Sequence, residues 1–253
     1  MLRFLDLSGT LPTRVWLHGF PLASSAYFPT FAAHPDLVDH RNLLPDFLGF
    51  GYSDRPDAFT YTMQAHADTI AQLLDVLNLK GSDVIGQSWG GSIAILLAES
   101  RPDLVGQLVL IDAYVDSHGG GPLTEAIAEQ SEDEYITAGH SQLILGTRER
   151  ALVSGSETTA AFLATLEAAS PQAVHRSARS LYEGASPSLR KRLGGLSIPR
   201  SYIVGAIEER PDVDALGAEG VHVAKVRDAG RFMFAEQPQA FVQAIRSCLE
   251  RSC

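Results

Sequence analysis

A chain of 253 residues, 45% hydrophobic and 20% charged, has the size and composition of one large α/β domain with room for an insertion. Its 30 acids against 20 bases give a formal charge of -10, which argues against a nucleic-acid surface and against an anionic membrane as partner. Cys248 and Cys253 both lie at the C-terminal end and cannot staple a loop, residues 1–7 are too short and interrupted for a signal peptide, and no run reaches membrane-span length. A soluble protein of a reducing cytoplasm is the expectation. The scarcity of lysine (Lys80, Lys191, Lys225) beside abundant Arg, Ala and Gly suggests a bacterial genome.

Residues 2–7 alternate apolar and polar side chains as an edge strand would, and Ser8-Gly9-Thr10 turns the chain into a second strand at 14–17. That strand ends in His18-Gly19-Phe20-Pro21, and a short helix reaching about residue 33 follows, with Ser24 or Ser25 as its expected cap. A third strand is expected over 39–44, then a loop rich in turn residues from Pro45 to Asp54. Ile70, Leu73, Leu74 and Leu77 recur at helical spacing within 61–79, so an amphipathic helix precedes the next strand.

That strand, 83–85, runs into Gly86-Gln87-Ser88-Trp89-Gly90-Gly91, and the apolar stretch 92–98 reads as a buried helix. A strand, a Gly-x-Ser-x-Gly turn and a helix form a nucleophile elbow, in which side chains at Gly86 or Gly90 would strike backbone and Ser88 is held strained with its Oγ exposed. The helix N-terminus behind the serine favours negative charge. Another strand, 107–111, ends at Asp112. Alternation of strands and helices implies a mostly parallel sheet with helices on both faces, with ligands at the carboxyl ends of its strands.

From residue 115 to 197 the alternation stops. Helices are expected over 125–137, 158–169 and 172–182, and a stretch this long cannot be a plain loop. Residues 116–197 therefore read as a helical cap, or lid, set between the two parts of the core domain, 1–115 and 198–253. Strands resume at 199–205 and 221–226, and an amphipathic helix over 238–249 closes the chain.

These stretches, in this order, resemble the α/β-hydrolase fold superfamily, in the capped branch with a Gly-x-Ser-x-Gly elbow. The resemblance is carried by His18-Gly19-Phe20, the loop 46–54, the elbow 86–91, Gly205-Ala206-Ile207-Glu208, and the stretch 228–238 that begins Asp228-Ala229-Gly230-Arg231-Phe232. It implies Ser88 as nucleophile, the backbone N–H groups of Phe20 and Trp89 as oxyanion hole, and Glu208 as the acid where Asp is usual. The short N-terminus implies a sheet lacking one edge strand.

One position departs from the family pattern. Where Ala-Gly-His-Phe is usual this chain has Ala229-Gly230-Arg231-Phe232, so Arg231 stands where the general base belongs. A guanidinium has no acceptor and stays protonated, so it cannot take a proton from Ser88. Loss of a triad base typically costs about a millionfold in rate. The degenerate set Ser88, Glu208 and Arg231 leads to an expected salt bridge between Glu208 and Arg231 that ties two loops together.

Other imidazoles could replace the missing base: His34, His40, His66, His118, His140, His175 and, in the family's eighth strand, His222. His118 follows the strand ending at Asp112, which makes a relocated set of Ser88, His118 and Asp112 conceivable. Asp112 is also where some family members keep their acid, but the favoured reading is a strand-end carboxylate bound to backbone. His18 is expected to brace the oxyanion loop, and Asp46 and Asp54 to be structural.

No Cys/His cluster has metal-ligand spacing and no Gly-rich phosphate loop occurs, so neither metal nor other cofactor is expected. The partner expected is a small-molecule substrate. The leading expectation is a hydrolase acting on a small apolar ester or acyl compound. Its rival is a non-hydrolytic relative, either a ligand-binding protein or a cyclase, lyase or isomerase of bacterial secondary metabolism, with Arg231 as an anion clamp.

Overall fold

The computed structural model describes residues 1–116, 120–207 and 212–250. Strands β1 (Arg3–Leu7), β2 (Leu11–Leu17) and β3 (His40–Asp46) flank helices α1 (Ser24–Tyr27) and α2 (Pro29–Ala32). Then come α3 (Met63–Val76), β4 (Ser82–Gln87), α4 (Trp89–Ser100) and β5 (Val105–Ile111). The seven-stranded sheet is completed by β6 (Arg200–Gly205) and β7 (His222–Val226) in the order β1-β3-β2-β4-β5-β6-β7. Every pairing is parallel except β1 with β3. Helix α11 (Val213–Ala218) lies between the last two strands, and α12 (Met233–Glu236) and α13 (Pro238–Glu250) end the described chain.

The period of two along each strand sorts the core onto two faces. Val15, Leu43, Val84, Leu108, Leu110 and Tyr202 point to one side, where Ile70 and Leu74 of α3 and Ile93 of α4 cover them. Trp16, Leu44, Ile85, Val109, Ile111 and Ile203 point to the other, against Phe28, Phe241 and Ile245 of α1's end and α13. Nearly continuous apolar strands are what a parallel sheet covered on both faces requires.

Between β5 and β6 the described chain is helical: α5 (Gly121–Ala128), α6 (Glu132–Glu134), a π-turn (Tyr135–Gly139), α7 (His140–Ser154), α8 (Glu157–Ala168), α9 (Pro171–Glu183) and α10 (Leu189–Gly195). The helical expectations differ from the structure at three places. The helix expected over 125–137 is broken, because Ser131 and Glu134 form a capping box that starts a new helix. Between the helices expected over 125–137 and 158–169 lies a further one, α7, whose mixed, weakly amphipathic sequence hides it. The helix expected up to residue 33 is likewise split in two around Phe28, and neither Ser24 nor Ser25 caps it: Ser24 Oγ donates to the Trp16 carbonyl and Ser25 Oγ to Asp46.

The elbow depends on close backbone contact. A Cβ on Gly90 would lie 2.3 Å from the Leu17 carbonyl oxygen and 2.5 Å from that of His18, and one on Gly86 would lie 2.6 Å from Gly91 Cα. No side-chain rearrangement relieves contacts with backbone. Gly90→Ala is therefore expected to lower unfolding free energy by about 2–3 kcal/mol, read from urea denaturation. Gly194→Ala, where a Cβ meets nothing, serves as the control and is expected to leave stability unchanged or slightly raised.

Candidate active site

Ser88 sits between β4 and α4 with φ 52° and ψ -119°, a conformation that costs a non-glycine residue roughly 1–3 kcal/mol. Its surroundings hold it there: its N–H donates to the Ile111 carbonyl at 2.8 Å, and its own carbonyl accepts from Gly91 and Ser92. The side chain is buried and lines a cavity of about 220 Å³ at the carboxyl edge of the sheet.

The Gly19-Phe20 turn is fixed to the elbow by Gln87, whose Oε1 accepts from the Gly19 N–H at 3.2 Å. His18 anchors it from beneath. Its Nε2 accepts from the Phe47 N–H at 3.1 Å, which makes Nδ1 the donor to the Gly19 carbonyl at 2.9 Å. Burial pushes His18 down to about 4, against the opposing pull of the Asp46 carboxylate and the Gly19 carbonyl. Both ring nitrogens of the neutral imidazole are committed, so His18 has no lone pair for catalysis. The N–H groups of Phe20 and Trp89 have no hydrogen-bond acceptor among the described residues, the condition that an oxyanion site requires.

Arg231 reaches into this cavity. Its Nη2 donates to Ser88 Oγ at 3.2 Å, its Nε lies 3.4 Å from Asp112 Oδ2, and its guanidinium carbon stands 5.2 Å from the centre of the Tyr114 ring. Ser88 Oγ thus accepts from a guanidinium that has no lone pair to offer in return. The carboxylate of Asp112 is nearly buried, its backbone is left-handed with φ 44°, and its N–H donates to the Ile203 carbonyl. Asp112 forms an ion pair with Arg231, a contact that its reading as a strand-end carboxylate bound to backbone did not include.

Glu208 and His118 lie outside the described residues, so the expected Glu208–Arg231 bridge and the relocated Ser88–His118–Asp112 set fall there too. The backbone beside Glu208 is nonetheless tied to the loop carrying Arg231: the N–H of Ile207 donates to Ala229, and a Cβ on Gly205 would lie 2.2 Å from the Gly230 carbonyl oxygen.

The other candidate imidazoles are engaged or placed elsewhere. His34 contacts Asp36, His40 contacts the Pro12 carbonyl, His140 pairs with Tyr135 and His175 with the Gln130 carbonyl, while His222 opens β7 at its amino end. His66 is buried among Phe47, Phe59 and Trp89, with neither ring nitrogen hydrogen-bonded among the described residues. Tyr114, Gln87 and Phe162 also line the cavity and escape sequence reasoning. Extending the alternation of β5 past Asp112 would have put Tyr114 beside it. Asp46 is structural, accepting from Ser25 and the Tyr52 N–H, and Asp54 pairs with the Met1 amine. Among the described residues no group of three or more His, Cys, Asp or Glu side chains could hold a metal, and no helix is long and apolar enough to cross a membrane.

The sheet order agrees with a family model described as alpha/beta hydrolase fold, which matches residues 15–212. The chain belongs to the α/β-hydrolase fold family. This α/β-hydrolase is 39% identical to haloalkane dehalogenase 2 of Mycobacterium tuberculosis over 102 residues, 40% of this chain and 35% of that one. The match therefore spans about a third of that relative's length. With an esterase of the same organism identity is 25% across 97% of this chain and 85% of the relative. Among solved structures, a thermophilic esterase from Thermogutta terrifontis shares 26% identity with a TM-score of 0.77, covering 99% of this chain and 93% of that one.

His66 and His18 give the fold a pH dependence. Burial pushes His66 down to about 3, with His18 adding to the shift, so the folded state binds fewer protons than the unfolded chain. Their contribution is complete above the ordinary value of 6.5 and is lost as pH falls through about 4 for His18 and about 3 for His66. Urea midpoints are expected to drop across that window. His66→Phe, which removes two unpartnered buried nitrogens, is expected to flatten the drop without lowering stability at pH 7 by more than about 1 kcal/mol.

Proposed function

We propose that this α/β-hydrolase is a hydrolase-type enzyme for a small, largely apolar ester or acyl compound, bacterial and cytoplasmic, working without cofactor, with residues 116–197 as its cap. In this reading Ser88 is the nucleophile, and the N–H groups of Phe20 and Trp89 receive the developing oxyanion. The observation that carries it is a strained, buried serine in a mostly apolar cavity beside two backbone donors that have no acceptor among the described residues. Its relatives named as esterases favour the same class of bond.

Among the described residues no imidazole stands where it could serve Ser88 as a base. As Ser88 Oγ adds to an acyl carbon, its proton must leave to water or to the departing group, since the guanidinium at 3.2 Å offers no lone pair. The cation lowers the energy of alkoxide character on Oγ, and Asp112 holds it in place. Turnover is then expected to be slow, resting on the oxyanion donors and binding.

A second reading has its own support. Arg231 and the two N–H groups make three donors around one hydroxyl, a setting that also suits a bound carboxylate or enolate in a non-hydrolytic relative. Labelling with a fluorophosphonate separates the two. Hydrolase chemistry predicts slow modification of Ser88 in the parent and an increase of at least about tenfold in Arg231→His, where an imidazole between Ser88 and Asp112 restores a base. Rapid labelling of the parent would refute the missing-base account. Absence of labelling in both proteins would leave Ser88 a structural residue.

A further inference from the structure

The cavity beside Ser88 does not end at its apolar wall. Leu123, Phe162 and Phe232 line it on one side and line a second cavity, of about 610 Å³, on the other. This outer lobe lies between α7, α8 and α12 and has a different chemistry. Thr147, Ser156, Thr158 and Thr159 supply hydroxyls, and Arg150 supplies a cation.

Arg150 stands out by its partners. The other arginines of the helical segment are all neutralised: Arg148 by Glu167, Arg176 by Glu132, Arg179 by Glu183, Arg190 by Asp116 and Glu219, and Arg192 by Glu99. Arg150 donates to Thr147 Oγ1 at 2.8 Å and meets no carboxylate among the described residues. In a chain with ten more acids than bases, a guanidinium without an acid at a cavity wall is poorly explained by stability. The nearby Glu236 does not fill the role, because its Oε2 is turned to accept from the Gly230 N–H at 2.5 Å. A planar fork of donors suits a carboxylate.

We infer that the substrate is an acyl compound with a free carboxylate, its apolar part in the lobe beside Ser88 and its carboxylate on Arg150 in the outer lobe. This rests on the reading of the inner cavity as the substrate pocket. Selection then comes from two separated requirements. The inner lobe rejects bulk and polarity, and the outer lobe rewards negative charge.

Calorimetric titration with two probes tests it: monomethyl suberate, which carries a carboxylate at the far end, and methyl octanoate, which does not. Arg150→Gln is expected to weaken monomethyl suberate by roughly three- to tenfold and to leave methyl octanoate within about twofold, while Arg150→Lys keeps part of the preference. Binding of methyl octanoate by Arg150→Gln also shows that the variant is folded. Equal weakening of both esters, or no change for monomethyl suberate, would overturn the carboxylate assignment and leave the inner pocket standing. If the parent binds methyl octanoate alone, the outer lobe is likewise not a carboxylate site. Failure of the parent to bind either ester would sink the inner-pocket reading and this inference together.

Discussion

The contact between Arg231 and Ser88 sets the terms for everything at the carboxyl edge of this sheet. A guanidinium 3.2 Å from a hydroxyl and 3.4 Å from a carboxylate donates to the first and forms an ion pair with the second. An imidazole in the same place would link them as donor and acceptor. A guanidinium in the middle of this line of three side chains offers no lone pair, where an imidazole would. It also changes the charge. A neutral base next to Asp112 leaves the site negative, whereas the permanent cation makes the Asp112–Arg231 pair neutral and gives Ser88 a positive neighbour.

That cation is held from several directions. Asp112 pairs with its Nε and Tyr114 offers a ring face, an arrangement worth roughly 0.5–2 kcal/mol when partly desolvated. The loop before it is fixed by Glu236 on the Gly230 N–H and by the near-touching backbones at Gly205. A guanidinium with no fixed partner would be expected to reach for solvent. This one is about one-third exposed and points at Ser88.

How far the sequence disclosed this arrangement follows the range of the forces involved. The elbow was legible because its constraints are local: Gly86 and Gly90 are required by backbone within a few residues, and the strand and helix on either side read directly from apolar runs. The sheet was legible for the same reason. The contact between Asp112 and Arg231 was not, because the two are brought together only by the pairing of β5 with β6 and the loop beyond β7. The family's order pointed to a bridge between Glu208 and Arg231, which falls outside the described residues, and carried no sign that Asp112 would meet the guanidinium.

The helical segment between β5 and β6 was the least legible part for a related reason. Helix α7 has no strong apolar stripe, with Leu145, Leu152 and Val153 exposed and Thr147 buried, so periodicity could not reveal it. A core helix is written by the need to bury one face, and its sequence reports that need. A helix that lines a cavity is written partly by what the cavity must hold, and its buried hydroxyl and exposed apolar side chains break the pattern. The same departure that hides α7 from a periodicity argument places Thr147 and Arg150 on the wall of the outer lobe. Illegibility of this kind is itself informative: where a helix fails to read as packing yet is ordered in the fold, its side chains are answering to something other than the core.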